Sequence, residues 1–211
     1  MTIKKVLVVS PHPDDETLGA GGTLLKLKKQ GYKLFWLNVT DMTTDNGYDE
    51  SKIEHRQKQI KDVIHFYGFD AFYNLALPPA QLSSLNEGEI IGKIKNVFET
   101  VKPDWILIPG QYDAHSDHKV VYNCCMACAK TFRAPYIKRI TSMEIISETD
   151  FGFQKEKFEP NLFIDISDEL EEKLEAMKIY DTELEEVPFP RSLENIKALA
   201  SVRGGGVQQV C

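Results

Sequence analysis

The stretch Val6-Leu7-Val8-Val9, continued by Pro11-His12-Pro13-Asp14-Asp15-Glu16, decides how this chain folds. Four apolar residues without alternation read as a strand buried on both faces, as in parallel sheets. Leu18, Leu24 and Leu25 follow at helical spacing within Thr17 to Gln30, and Gly31 suits the C′ position that ends a helix. Between strand and helix, six residues place one imidazole and three carboxylates at the strand's carboxyl end. Ligands of open α/β sheets bind at that edge. Carboxylates crowded where water is restricted cost free energy unless something positive sits among them. The stretch predicts a cation site on an α/β sheet.

Outward from it the pattern repeats. Leu34 to Val39 is a second apolar strand, followed by Thr40-Asp41 and a polar, turn-rich run to Asp49. Glu50 to Tyr67 is an amphipathic helix ending at Gly68. Ala71 to Leu75 is a short strand, Gly88 to Val101 a helix stopped by Pro103, and Trp105 to Ile108 a further buried strand. Four strand–helix units predict a Rossmann-like, three-layer α/β fold with a mainly parallel sheet. A helix from Lys119 to Thr131 comes next, and beyond Pro135 the pattern loosens. Ile140 to Ile146 and Leu162 to Ile166 read as edge or antiparallel strands, Ser167 as the N-cap of a helix through Leu174 and Met177, and Leu193 to Val202 as the last helix. Neither linker nor repeat interrupts the pattern, so residues 1–211 are expected to form one domain.

Bulk properties narrow the partners. A net charge of −7 opposes nucleic acid or an anionic membrane as the main partner. Lys26, Lys28 and Lys29 read as the solvated face of a helix. The chain runs into strand by residue 5, without the apolar stretch of a signal peptide, and no run approaches a membrane span, so a cytoplasmic location is expected. Cys124, Cys125 and Cys128 read as small core residues on a helix rather than a metal or redox pair. Gly19 to Gly22 with Asp41 imitate a dinucleotide fingerprint, but the glycines fall inside the helix and acids fill the phosphate turn. His55 and His65 read as surface residues, Trp36 and Trp105 as core.

A second cluster, Asp113-Ala114-His115-Ser116-Asp117-His118, follows the fourth strand. Right-handed crossovers put the carboxyl ends of parallel strands on one edge, so the two clusters can face each other across about a hundred residues of sequence. His12, Asp15 and one of the later histidines would then give two nitrogens and an oxygen. Three protein ligands with an open position define a catalytic zinc site. Asp14 is expected to point elsewhere, free to act on water. Two histidines and a carboxylate also suit iron(II), although such triads usually sit on antiparallel jelly rolls.

These paired motifs, with Gly19 to Gly22, the Arg56 helix and Asn161 to Ser167 with Lys173, resemble the PIG-L/LmbE family of zinc-dependent N-deacetylases. The resemblance covers most of the chain. It implies removal of an acetyl group from an N-acetylglucosamine-type sugar or sugar conjugate. It assigns His12, Asp15 and His118 to zinc, with Fe2+ able to occupy the same ligands, and makes Asp14 the general base. It makes His115 the group that stabilises the oxyanion or assists the leaving amine, Asp117 the carboxylate that orients it, and Arg56 a substrate contact. It also implies a homo-oligomer. The sequence departs from the family at Gln59, where an acid often follows the arginine. A non-catalytic metal- or sugar-binding module on the same fold is the alternative, and it predicts loss of Asp14 or a ligand. None is missing.

Overall fold

A computed structural model of the protein describes residues 4–151 and 158–207. Strand β1 (Lys5–Ser10) is paired in parallel on both edges: Val6 lies opposite Leu34 of β2 (Lys33–Thr40) and opposite Trp105 of β4 (Trp105–Ile108). β3 (Ala71–Leu77) adds to β2 and β5 (Arg139–Ser142) to β4, giving a parallel sheet in the order β3-β2-β1-β4-β5. The lack of alternation in β1 follows directly. Val6 and Val8 pack on one face and Leu7 and Val9 on the other, all fully buried.

Helices α1 (Asp15–Lys29), α2 (Glu50–Tyr67), α5 (Leu170–Ile179) and α6 (Leu193–Gly205) cover the first face through Leu24, Ile60, Met177 and Ile196. Helices α3 (Glu87–Val101) and α4 (Ser116–Cys128) cover the second through Ile94, Phe98, Val121 and the free, buried Cys124 and Cys125. The strand order reverses between β1 and β4. A crevice opens at that switch point, outside the carboxyl ends of both strands. It is where the His12 and His115–His118 stretches emerge.

Four expectations are corrected. β5 lies at the sheet edge, as one of the two readings of Ile140 to Ile146 had it, but it is shorter and parallel, because the α4 crossover returns the chain in the right-handed sense that parallel pairing requires. Leu162 to Ile166 forms no strand: Ile166 packs with Leu170 and Ala200 under the helices, and Lys26 Nζ donates to the Asp165 carbonyl. Ser167 caps no helix; its hydroxyl donates to Asp165 Oδ1 at 2.6 Å, and α5 starts three residues later behind Glu169. α4 opens at Ser116, not Lys119, because the His115 imidazole serves as its N-cap, accepting from the Asp117 amide. The cap draws Asp117 and His118 into the first helical turn. Trp36 and Trp105 are core residues, and His55 and His65 are exposed. No helix among the described residues is long and apolar enough to cross a membrane.

Close approach explains one glycine. A Cβ on Gly22 would meet Ile166 Cδ1 at 2.6 Å and its Cβ and Cγ2 at 2.9 Å. Gly22→Ala is expected to cost about 1–3 kcal/mol through overpacking, read as a lower denaturant midpoint at unchanged m-value; an unchanged midpoint contradicts this packing.

Candidate metal centre

The turn from β1 into α1 is held from several directions. The His12 amide donates to Asp15 Oδ2 at 2.8 Å, and the Asp14 amide to Glu16 Oε2 at 3.1 Å. Glu16 is fully buried, and its Oε1 accepts from Thr17 Oγ1 and from Tyr180 Oη at 2.9 Å. Burial pushes the Glu16 carboxyl up to about 7. Asp14 itself sits at φ 140° and ψ −29°, a backbone region that a residue with a side chain rarely enters.

Three side chains converge at the crevice. Asp15 Oδ2 lies 3.4 Å from His12 Nδ1 and 3.3 Å from His118 Nε2. The three ligand atoms lie within 4.8 Å of one another. Tetrahedral bonds of about 2.1 Å hold neighbouring ligands about 3.4 Å apart, so two edges already have the dimensions of a zinc site. The far nitrogen of each imidazole has its own buried carboxylate. His118 Nδ1 pairs with Asp113 Oδ2 at 2.8 Å, and His12 Nε2 with Asp117 Oδ2 at 3.1 Å. Outer carboxylates of this kind fix the ring and direct the inner nitrogen's lone pair at a metal. With Nδ1 donating to Asp113, His118 Nε2 is an acceptor; it is buried, lacks a hydrogen-bond partner among the described residues and faces another acceptor. Only a cation or an added proton resolves that arrangement. The donor set fits a divalent metal.

The protonation pattern agrees. Burial opposes charge on His118 and His12. The carboxylates of Asp15 and Asp113 around His118, and of Asp117 and Asp15 around His12, outweigh it and raise the two to about 10 and about 9. Burial likewise opposes ionisation of Asp15, but both imidazoles hold it far below the usual carboxylate range. Asp14 moves the other way, raised by burial and by the neighbouring Asp15 charge despite Arg191 and Arg56.

Asp117 differs from the sequence expectation. Its carboxylate stands 4.0 Å from His115 Nδ1 and is instead committed to His12 and to the amides of Ala80 and Leu82, at 2.6 and 3.1 Å. His115 is oriented by the Asp117 backbone, whose N–H donates to Nδ1 at 3.1 Å. That bond leaves Nε2 as the protonated nitrogen of the neutral ring. Burial, with the nearby His12 charge, lowers the His115 pKa and favours that form. Asp14 is not free either: Arg191 Nη1 donates to its Oδ2 at 2.9 Å. Arg56 is buried, its Nη1 on the Pro13 carbonyl at 3.0 Å and its Nη2 on Glu183.

A cleft of about 270 Å³ opens over these groups, walled by Met42, Tyr48, Ala80, Glu148 and Arg191. Three polar stretches of the sequence, Thr40–Asp49, Pro78–Glu87 and Thr149–Pro160, are candidates to shape such a pocket, and the first two reach it. Of the third, Thr149–Pro160, residues 152–157 lie outside the described residues. A second pocket of about 290 Å³ shares Met42, Arg56 and Glu183 with the first and continues over Ser51, Lys52 and Gln59.

The family model described as GlcNAc-PI de-N-acetylase, PIG-L, matches residues 7–129, which include both clusters. The chain belongs to the PIG-L family. Diacetylchitobiose deacetylase of Thermococcus kodakarensis is 29% identical over 200 residues, covering 87% of this chain and 72% of that protein. The conserved protein TT1542 of Thermus thermophilus superposes with a TM-score of 0.78 at 24% identity, over 97% of this chain and 90% of its own. N,N'-diacetylchitobiose deacetylase of Pyrococcus horikoshii, solved with its inhibitor MPG, gives 0.74 at 21%, over 99% and 81%. At these identities the two structures establish a shared fold.

Sequence reasoning missed Asp113 as a partner of His118, although it stands in the quoted cluster, and it missed Glu183 and Arg191 altogether. Both of the latter lie around the loop marked by Pro188 and Pro190, which carries no strand-end signal. Two outcomes are expected. Asp113→Asn should weaken metal affinity about 10–100-fold in competition titrations with a chelating dye; unchanged affinity contradicts the outer-carboxylate role. In the metal-stripped protein, folded His12 and His118 keep protons that the unfolded chain releases near 6.5. Their stabilisation is complete below that pH and is lost as the pH rises through about 9 and 10. Thermal midpoints in chelator should therefore fall across this window, and a rise would contradict the paired sites.

Proposed function

We propose that this chain is a zinc-dependent hydrolase that removes the N-acetyl group from an N-acetylglucosamine-type sugar or sugar conjugate, releasing acetate and the free amine. The observation that carries the reading is the convergence of His12 Nδ1, Asp15 Oδ2 and His118 Nε2, with Asp14 and His115 bordering the same cleft. His12, Asp15 and His118 would hold the ion. Bound zinc supplies a nucleophile at neutral pH, lowering the pKa of water to about 7, and polarises the amide carbonyl.

The chain's own groups do the rest. Arg191 donates to Asp14 Oδ2 and leaves Oδ1 as the carboxylate's other oxygen. Oδ1 is therefore the acceptor for the proton of the attacking water. A base that has taken a proton can return it as an acid, and the amide nitrogen needs one to leave as an amine. His115 donates its Nε2–H to the oxygen on which negative charge develops, a contact worth roughly 3 kcal/mol in comparable sites. The neutral tautomer follows from the bond its Nδ1 accepts.

The second pocket supports a substrate larger than one sugar ring. Arg56 and Glu183 border both spaces, and the second continues over Ser51, Lys52 and Gln59. A unit attached to the N-acetylated sugar would pass Arg56 and extend over Ser51 and Lys52. Such a placement suits a sugar conjugate better than a lone monosaccharide.

Asp14→Ala is expected to lower kcat for acetate release from di-N-acetylchitobiose about 10³-fold, and His115→Ala about 10²-fold, both with metal content near parental. Near-parental turnover in Asp14→Ala would rule out that residue as the base.

A further inference from the structure

We propose that Arg191 and Glu183 form a clamp that positions Asp14 for proton transfer; this rests on the reading of Asp14 as the base. Arg191 Nη1 donates to Asp14 Oδ2 at 2.9 Å and to Glu183 Oε2 at 3.2 Å. The other Glu183 oxygen accepts from Arg56 Nη2, and Arg56 Nη1 donates to the Pro13 carbonyl at 3.0 Å. One network thus grips the backbone just before Asp14 and the carboxylate of Asp14 itself. Glu183 joins the two grips.

Three features separate positioning from plain packing. Asp14 occupies φ 140°, which a side-chain-bearing residue keeps only when its surroundings over-determine it. Next, Arg191 lines the cleft instead of filling the core, its side chain 25% exposed, and its Nε has no partner among the described residues. The hydrogen bonds that hold the guanidinium are those to the two carboxylates. Finally, the clamp engages a single oxygen of Asp14. With Oδ2 held by Arg191, Oδ1 is the oxygen left to take a proton in the cleft that Asp14 lines. The sequence gives Arg191 no motif, since it lies 177 residues from Asp14 in a proline-marked loop.

The clamp makes Arg191 a positioning residue, and the effect of its loss is geometric. A displacement of about 1 Å in a reacting group can cost 10²-fold in rate. The test uses metal-loaded full-length protein on di-N-acetylchitobiose, comparing the parent with Arg191→Ala, Arg191→Lys and Glu183→Gln, each checked for metal content and thermal midpoint. Arg191→Ala should lower kcat about a hundred-fold with KM little changed, and guanidinium at a non-denaturing concentration should restore part of the loss. Arg191→Lys should lose less, because an ammonium can still donate to Asp14 but lacks the planar guanidinium that fixes the direction of the bond. Glu183→Gln should also lower kcat at steady KM. If Arg191→Ala does not fold, the lysine and glutamine variants carry the same comparison.

An Arg191→Ala kcat within about twofold of the parent overturns the clamp, while the deacetylase reading stands on the parent's activity. A rise in KM at unchanged kcat overturns it too, because Arg191 would then bind substrate without placing the base. A parent that releases no acetate from any N-acetylated sugar removes the function on which the clamp rests.

Discussion

Asp15 Oδ2 faces His12 Nδ1 at 3.4 Å and His118 Nε2 at 3.3 Å, and the rest of the crevice depends on that meeting. Three acceptor-bearing groups are stable together only around a positive charge. The fold supplies two carboxylates, Asp113 and Asp117, that turn each imidazole so that its free nitrogen points inward. Asp113 is in turn held by the Gly110 amide and by Thr149 Oγ1, and Asp117 by the amides of Ala80 and Leu82. Four loops are thereby tied to one point, which pre-organises the site on a rigid sheet edge.

That rigidity has a cost visible in the turn itself. Asp14, Asp15 and Glu16 are all nearly or wholly buried. Each is matched to a different partner: an arginine, two imidazoles, and a tyrosine with a threonine. The same partners that offset the burial of charge also divide the carboxylates by role. Asp15 is held as an anion, whereas Asp14 and Glu16 are pushed toward higher pKa by burial. Neighbouring groups whose environments drive their protonation apart are what acid–base chemistry at neutral pH requires.

Much of this was legible before any coordinate. Val6 to Val9 and Trp105 to Ile108 carry the two-faced burial of central parallel strands, and topology then brings the clusters at their ends together. The helix Glu50 to Tyr67 was readable to the residue, because its apolar stripe and Gly68 mark both face and end. What failed depends on tertiary context. Ile164 and Ile166 look like strand residues but serve a helix-packed loop, and an imidazole cap at His115 lies outside the usual capping residues. The family resemblance pairs the Asp117 carboxylate with His115, whereas the fold offers it His12, 105 residues away. Arg191 was invisible for the same reason: a single arginine in a loop carries no period and no motif.

The central claim, that His12, Asp15 and His118 hold one catalytic divalent cation, is most directly tested by metal content. Plasma mass spectrometry of the purified parent should be set beside Asp15→Ala and Asp14→Ala after identical zinc reconstitution and desalting. The account predicts about one transition metal per chain in the parent and in Asp14→Ala, and little in Asp15→Ala. A parent that retains no metal, or an Asp15→Ala variant that retains as much as the parent, would contradict it.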